Sequence, residues 1–263
     1  MSFSASLRIV VLAGDRKPGD SLALAHGVAG KVLVPVQGRP LLSHVMQAIG
    51  ELADVDEVVL VGPDHEAYAR AAGDFCSYRR IDPAAGPAAS LARALAGFDD
   101  DGPVMAVTAD HPLIQPEWLE QFRRRADATG ADAVVGLVDW KQVHRAFPDN
   151  RRTCYRFADF SVCGTNLFYF RTPHGRTVAT VWKQFEADRK KPWKIVSRLG
   201  WLNLLRYLTG RLKLDHAVVA LSRHLGISLA SVFIDHPEAA VDVDSSEDLE
   251  LVCRIFAQRT DPA

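Results

Sequence analysis

The stretch Val104-Met105-Ala106-Val107-Thr108-Ala109-Asp110-His111-Pro112-Leu113 decides how this chain folds. It begins as a continuous apolar run rich in β-branched residues, which is typical of a short strand buried on both faces of a sheet. Pro112 cannot donate to a strand ladder, and it favours an extended or turn conformation at His111. We therefore expect Asp110 at the carboxyl end of a central parallel strand, where open α/β sheets bind their ligands.

A carboxylate in that position has two interpretations. It is a good hard-oxygen ligand for Mg²⁺ held between protein and phosphates. It is also a residue that commonly forms a turn at the end of a strand. The stretch alone leaves both interpretations open.

Strands and helices alternate on either side of this stretch. Strands are predicted over residues 7–14, 57–62, 104–110, 133–138, 165–170, 231–235 and 240–244. Helices are predicted from about residue 40, from about residue 63, over 88–97 and 116–129, within 175–226, and from Ser245 onward. Residues 139–160 mix charge, proline and aromatic side chains, which predicts irregular structure. The alternation predicts one α/β domain over residues 1–263, with a mostly parallel sheet and a helical insertion at 175–226.

The composition excludes several classes of protein. The chain has 263 residues, of which 48% are hydrophobic and 24% charged, so a disordered chain is excluded. Its net charge of −1 gives no global reason to expect a nucleic acid or an anionic membrane as partner, and such contact would need a local patch.

The cysteines and the N-terminal region point to a location. Among Cys76, Cys154, Cys163 and Cys253 there is no CxxC pair, which argues against a zinc knuckle. Four cysteines are too sparse for a disulfide framework, which favours a reducing compartment. The apolar run from Leu7 to Ala13 is too short for a signal peptide or a spanning helix. We expect a cytoplasmic protein with no stable membrane insertion.

Three polar features are spaced along the chain. A glycine and basic loop follows the first strand, Asp110 follows a middle strand, and Asp242 and Asp244 precede the last helix. A phosphate-handling site needs such a set, because main-chain N–H groups and cations hold a triphosphate. Carboxylates hold the metal that neutralises the charge developing during transfer.

Five pieces, taken in order, resemble the nucleotidyltransferases related to molybdenum-cofactor guanylyltransferase and to the sugar-phosphate and methylerythritol-phosphate cytidylyltransferases. They are Leu12-Ala13-Gly14 with Lys31, Gly38-Arg39-Pro40-Leu41-Leu42, Ala85-Gly86-Pro87-Ala88-Ala89-Ser90-Leu91, Thr108-Ala109-Asp110-His111-Pro112-Leu113 and Asp242-Val243-Asp244-Ser245-Ser246-Glu247-Asp248-Leu249. They cover residues 7–138 and 231–256.

The resemblance implies a three-layer α/β/α sandwich of the nucleotide-diphospho-sugar transferase (GT-A-like) type. It also implies Mg²⁺-dependent attack of an acceptor phosphate on the α-phosphorus of an NTP, with release of pyrophosphate. Asp110 would be the first metal ligand, and Asp244, with Asp242 as its competitor, the second. Lys31 would contact the triphosphate or the transition state. Leu12, Ala13, Gly14, Arg16 and Lys17 would bind the nucleotide, and Gly86, Pro87 and Ser90 would line the base pocket.

The chain departs from this family in its first loop. Asp15 replaces a glycine, the pair Arg16 and Lys17 comes early, and Lys31 lies beyond a longer loop. An acid at position 15 would repel phosphate unless it points away or helps to bind metal. The base stays open, because Gly86-Pro87 favours guanylyl transfer while Ser90 would equally suit cytidine.

The acceptor side offers weaker signals. The resemblance places Asn166 at the acceptor contacts, and simple strand-edge hydrogen bonding is the alternative. A basic cluster is either a solvated helical face or a rim that attracts a phosphorylated acceptor through Lys194 and its neighbours: Lys183, Arg189, Lys190, Lys191, Lys194 and Arg198. Trp193, Trp201 and Tyr207 fit packing of the insertion or a membrane interface. The insertion could cover the acceptor or build a homodimer contact.

Two other functions stay in view. Asp242-Val243-Asp244 has the Asp-x-Asp form that glycosyltransferases of this broad fold use with an NDP-sugar donor, although it lies late in the chain. The altered first loop could instead mark an inactive nucleotide-binding homologue. A Rossmann dehydrogenase or a Walker-type NTPase lacks support, because neither glycine motif is present.

Overall fold

The computed structural model describes residues 6–15, 19–150, 152–186, 192–197 and 200–260. The strands of these residues are β1 Leu7–Leu12, β2 Pro35–Val36, β3 Arg39–Pro40, β4 Val55–Val61, β5 Arg79–Ile81, β6 Val104–Thr108, β7 Ala133–Asp139, β8 Tyr155–Arg156, β9 Ser161–Phe170 and β10 Leu229–Phe233. The main sheet has the order β10-β7-β9-β6-β1-β4-β5, with β8 on β9, while β2 and β3 form a separate hairpin.

The sheet is mostly parallel, as the sequence predicts. Strand β9 runs antiparallel to its neighbours β6 and β7, whereas the pairs β10-β7, β6-β1, β1-β4 and β4-β5 are parallel. The helices are α1 Ser21–Ala25, α2 Leu41–Gly50, α3 Glu66–Ala72, α4 Pro87–Leu95, α5 Pro116–Ala128, α6 Trp140–Ala146, α7 Pro173–Arg176, α8 Val178–Glu186, α9 Pro192–Ser197, α10 Trp201–Leu208, α11 Leu214–Leu225 and α12 Ser246–Thr260.

Helices cover both faces of the sheet because the central strands are apolar on both faces. Along β1, Ile9 and Val11 belong to one buried cluster and Val10 to another. The first cluster includes residues of α2, α3 and α5, while the second includes residues of α4 and Ala179 of α8. This arrangement confirms the predicted three-layer α/β/α sandwich.

The strand order reverses between β1 and β6. From β1 the chain proceeds to β4 and β5 on one side, and it then returns to place β6 on the other side of β1. The carboxyl ends of β1 and β6 therefore lie side by side, and the Ala109 N–H donates to the Leu12 carbonyl at 2.9 Å. Such a switch point leaves a crevice in which open α/β sheets bind ligands.

Two predicted elements are wrong. Residues 240–244 do not form a strand, since a 3₁₀ helix occupies Pro237–Ala240. In the extended residues that follow, the Val243 N–H donates to the Asp110 carbonyl at 2.9 Å, beyond the end of β6, while the Val241 N–H donates to the Glu238 carbonyl and the Asp244 N–H to the Asp248 carboxylate, so no strand ladder forms. The predicted irregular region 139–160 contains α6, which the Asp139 side chain caps by accepting from the Lys141 N–H, and it also contains β8.

Helices α7 to α11 lie in the predicted helical region. Helix α11 packs on β10, and its carboxyl end closes at Gly226, whose φ of 69° suits glycine. Within the described ranges, no helix has both the length and the apolar character that crossing a bilayer requires.

Candidate active site

Three carboxylates meet at the switch point of the sheet. Asp110 stands just beyond β6, and the hydrogen bond from Val243 to its carbonyl places Asp242 and Asp244 beside it. One oxygen from each of the three carboxylates lies within 4.8 Å of the others. Asp110 is buried, Asp242 is half-buried and Asp244 is exposed, so the group is open to solvent on the Asp244 side.

The Lys31 ammonium bridges two of these carboxylates. Its Nζ lies 2.6 Å from Asp110 Oδ2 and 2.6 Å from Asp244 Oδ1. Lys31 opens a short 3₁₀ helix, Lys31–Leu33, whose apolar residues Val32 and Leu33 are buried and hold the turn against the core. The other Asp110 oxygen, Oδ1, accepts from the Thr108 hydroxyl at 2.5 Å. Both Asp110 oxygens are therefore hydrogen-bonded.

The charges of this group stabilise each other. Burial alone would raise the pKa of Asp110, but the Lys31 ammonium and the hydrogen bonds from Lys31 and Thr108 hold that pKa well below its usual range. Burial would likewise lower the pKa of Lys31, and the Asp110 and Asp244 carboxylates outweigh it, so the pKa is raised. Lys31 is thus a firmly charged cation beside the firmly charged Asp110 carboxylate.

Asp242 has a partner of its own. The Arg152 guanidinium contacts its carboxylate through Nη1, and Nη2 donates to the Asp242 carbonyl at 2.7 Å and to Asp248 Oδ1 at 2.8 Å. Asp248 also accepts from the Ser245 hydroxyl at 3.0 Å, and its N–H donates back to Ser245, which forms a reciprocal cap at the start of α12. Arg152 therefore ties the loop before β8 to the segment that carries Asp242 and Asp244.

Asn166, in the antiparallel strand β9, reaches the same site. Its Nδ2 is 3.2 Å from both His111 Nε2 and Asp242 Oδ2, so both of these atoms accept from the amide. Burial lowers the pKa of His111 to about 4, and the neutral ring is the form that can accept. Asn166 has φ of 55°, a left-handed conformation that asparagine tolerates, where the register of β9 against β7 shifts.

Asp15, the acid in the first loop, bonds to the protein backbone. Its Oδ1 accepts from the Lys31 N–H at 3.1 Å, and burial raises the pKa of its carboxyl. A side chain at Gly30 would collide with the Tyr68 hydroxyl and would come 2.9 Å from Asp15 Oδ2, so this close approach needs glycine. Asp15 thus fixes the backbone of the turn that presents Lys31, a structural use for the acid that replaces glycine here.

Six of the residues predicted for nucleotide binding lie at the end of β1 or at the start of α4. Leu12 ends β1, Ala13 is buried, and a Cβ added to Gly14 would lie 3.0 Å from Pro83, so this loop touches the one before α4. Gly86 precedes α4 with φ of 109°, Pro87 is the first residue of that helix, and the Ser90 hydroxyl accepts from the Ala84 N–H at 2.9 Å.

Other predicted contacts fall elsewhere. Arg16 and Lys17 lie outside the described residues. Lys194 is on α9, with its Nζ 5.8 Å from the centroid of the Trp193 ring.

Sequence reasoning missed Thr108 and Arg152. Thr108 lies two residues before Asp110, so strand alternation could have placed both side chains on one face. Arg152 lies in a region whose path depends on tertiary contacts, and no spacing in the sequence links it to Asp242 or Asp248.

Two solved structures share this fold. A hypothetical transferase from Thermus thermophilus superposes with a TM-score of 0.75 at 28% identity, covering 92% of this chain and 98% of that one. CMP:2-keto-3-deoxy-manno-octonic acid synthetase, in a complex with CTP, gives a TM-score of 0.60 at 16% identity, covering 97% of this chain and 100% of that one. The second likeness concerns the fold alone.

Curated relatives share part of the sequence. The bifunctional protein GlmU of Rhodospirillum rubrum is 36% identical over 109 residues, which are 41% of this chain and 24% of that protein. The GlmU of Azorhizobium caulinodans is 30% identical over 203 residues, which are 66% of this chain and 41% of that protein. The matches with these two relatives therefore span well under half of their length.

Fold and sequence together define an enzyme of the nucleotidyltransferase class. The family model for the MobA-like NTP transferase domain matches residues 9–191. The chain belongs to this family, which confirms the resemblance drawn from the five ordered pieces.

Proposed function

We propose that this chain transfers the nucleoside monophosphate of CTP or GTP to a small phosphorylated acceptor, with Mg²⁺ as its cofactor. An acceptor phosphate oxygen forms a bond to the α-phosphorus, the bond to the bridging oxygen of the β-phosphate breaks, and pyrophosphate leaves. The observation that carries the proposal is the convergence of Lys31, Asp110 and Asp244 at the switch point of the sheet.

The donor set fits a hard divalent cation. Carboxylate oxygens are the ligands that Mg²⁺ takes in nucleotide sites, and one oxygen from each of Asp110, Asp242 and Asp244 falls within 4.8 Å of the others. Asp110 and Asp244 are the better candidates, because the Lys31 ammonium between them can move to a phosphate oxygen, whereas Arg152 is also held by Asp248 and by the Asp242 carbonyl. Bound there, Mg²⁺ would neutralise charge that develops on the phosphates during transfer.

The chain's own residues would supply position and charge. Lys31 sits where its ammonium can exchange a carboxylate for a phosphate oxygen. The backbone of Ala13 and Gly14 borders the same crevice, and glycine permits close approach of a nucleotide. Catalysis by such a site is mainly positioning and electrostatic stabilisation.

The acceptor would lie on the side of Asn166. Its amide hydrogen-bonds Asp242 and His111, and its side chain is only partly buried at the edge of the carboxylate group. A polar amide there suits a hydroxyl or phosphate of a small acceptor. Lys194 is the second candidate contact for an acceptor phosphate, with support from the sequence alone.

The pairing of Asp242 with Arg152 weighs against the glycosyltransferase alternative. An Asp-x-Asp metal site uses both carboxylates, and here one of them faces a guanidinium. The released product distinguishes the two functions, because glycosyl transfer from an NDP-sugar releases a nucleoside diphosphate rather than pyrophosphate.

The test is pyrophosphate release by the purified chain with each of the four NTPs, Mg²⁺ and a panel of sugar, polyol and acid phosphates. We expect release with CTP or GTP and one acceptor class, and a loss of ~10²–10³-fold in Asp110→Asn, the scale at which removing one electrostatic group slows transfer.

The matched control is Asp64→Asn, which removes an exposed acid of the loop before α3 and should leave the rate unchanged. If binding of an NTP raises the melting temperature while no acceptor yields pyrophosphate above the Asp110→Asn background, the chain is a nucleotide-binding homologue without this activity.

A further inference from the structure

Helix α10 presents an apolar face that the described residues leave exposed. Trp201, Leu205 and Leu208 follow the i, i+4, i+7 spacing of one helical face, and their exposed fractions are 75%, 50% and 67%. No residue of α10 is buried. Among the described residues, five of the nine large exposed hydrophobic side chains lie between Trp193 and Leu208.

The opposite side of α10 faces the body of the protein. Tyr207 packs edge-on against Phe157 with ring centroids 5.9 Å apart, and it also contacts the buried cluster of Val196, Leu212 and Ala217. These contacts orient the helix about its own axis, with Tyr207 toward the protein and the apolar face toward solvent.

The charged side chains within the segment 192–213 have one sign. Residues 192–213 contain five lysines and arginines and no aspartate or glutamate, in a chain whose net charge is −1. Arg206, Arg211 and Lys213 are exposed, and Lys194 lies against the Trp193 ring. We call the surface formed by the described residues from Trp193 to Lys213 the docking face.

A second copy of the chain is a poor occupant for this docking face. A twofold interface puts the same patch of both copies together, so the cations of one copy would oppose those of the other. An anionic bilayer instead offers both environments that this face needs. Its apolar layer accommodates the tryptophan and leucine side chains, and its phosphate headgroups lie at the depth that the cationic side chains reach.

We propose that the docking face binds the surface of an anionic phospholipid bilayer, with α10 lying in the interface plane. Amphipathic helices with cations beside an apolar face bind in this way without crossing the membrane. The inference rests on the exposed helix and its charge, and it does not depend on the chemistry proposed for the carboxylate site.

Vesicle co-sedimentation of the full chain tests the proposal. We expect binding to phosphatidylcholine vesicles that contain about 30% phosphatidylglycerol, at least about fivefold weaker binding to pure phosphatidylcholine, and release when salt rises to about 0.5 M. Trp201→Ser with Leu208→Ser, and separately Arg206→Glu with Lys213→Glu, should each reduce the bound fraction at least about fivefold.

The matched controls are Leu24→Ser and Arg124→Glu, which alter an exposed leucine and an exposed arginine far from the docking face in the chain. Both should bind as the parent does, and circular dichroism should show all variants folded. Absence of binding to anionic vesicles, or binding that the docking-face variants leave unchanged, overturns the proposal. So does a concentration-dependent dimer in sedimentation velocity that Trp201→Ser with Leu208→Ser abolishes, because a second copy would then be the occupant.

Discussion

Lys31 is the residue on which the site depends most, because its ammonium occupies the space between two carboxylates. It lies 2.6 Å from an oxygen of Asp110 and of Asp244, the pair best placed to hold a divalent cation. A metal ion at that position would compete directly with the ammonium for the same oxygens. The lysine therefore holds the two acids together, and under the proposed function it would release them when metal and nucleotide bind.

This competition predicts opposite effects of Lys31→Met on metal binding and on turnover. Without nucleotide, we expect the variant to bind Mg²⁺ about tenfold more tightly in calorimetry, ~1.4 kcal/mol, because no internal cation has to leave. Turnover should fall by ~10²-fold or more, because a cation that stabilises phosphate charge is gone. Lys141→Met, an exposed lysine on α6, should change neither quantity. Weaker Mg²⁺ binding by Lys31→Met would contradict this role for the lysine.

Among the described residues, Arg152 is the ion-pair partner of both Asp242 and Asp248. Arg152→Met should lower the free energy of unfolding by about 3 kcal/mol, because it leaves Asp242 and Asp248 charged and mostly buried. Adding Asp242→Asn should restore part of that loss, which urea denaturation would measure. Arg70→Met, which removes an exposed pair with Glu66, should cost less than about 0.5 kcal/mol. An equal loss of unfolding free energy in Arg152→Met and Arg70→Met would show that the Arg152 ion pairs do not stabilise the fold.

Among the secondary-structure elements, the positions of the ends of β1 and β6 could be predicted from the sequence. The conformation of residues 241–244 could be predicted only in part. Apolar runs that stop at Gly14 and Asp110 identify buried parallel strands, and parallel strands share one carboxyl edge. Residues 240–244 alternate like a strand, but they lie beyond the end of β6, where Val243 bonds to Asp110 while the Val241 and Asp244 N–H groups donate to Glu238 and Asp248. Alternation shows which residues face together, and it does not show whether a neighbouring strand reaches far enough.

Helix α7 is seated directly on the start of β7. A Cβ at Gly175 would collide with the Asp132 carbonyl, which also accepts from the Arg171 N–H at 2.8 Å. Gly175→Ala should therefore reduce the free energy of unfolding by ~1–3 kcal/mol, because backbone must shift. Gly164→Ala in β9 is the matched control, since a Cβ there meets open space, and it should stay within about 0.5 kcal/mol. Equal stability of the two variants would contradict the described contact between α7 and β7.

His44 links α2 to α12 and gives that contact a pH dependence. Its ring lies 4.7 Å from the Phe256 ring, Nε2 donates to the Val36 carbonyl, and burial, aided by the Arg39 charge, lowers the pKa of His44 below 6.5. The unfolded chain then binds a proton more readily than the folded one, so stability is lost as the pH falls below about 6.5. In urea denaturation, His44→Gln should lose less stability than the parent between pH 7 and pH 5. Parallel losses in the two proteins would exclude this contribution.

For the whole molecule, the order of five short pieces was enough to predict the sandwich and the family, because each piece includes the end of a strand or the start of a helix. The loops that complete the site were beyond sequence reasoning. Arg152 reaches Asp242 and Asp248 only because α6 and β8 fold the region 139–160 back toward α12. Asp15 departs from the family pattern, and only its hydrogen bond to Lys31 shows that it supports the lysine turn.

The central claim is that Asp110 and Asp244, 134 positions apart in the numbering, hold one divalent cation together. Electron paramagnetic resonance of Mn²⁺ titrated into the chain with CTP or GTP tests it most directly. The account predicts one Mn²⁺ bound per chain, with affinity at least about tenfold weaker in Asp110→Asn and in Asp244→Asn than in the parent. Parent-like Mn²⁺ binding by both variants would contradict it.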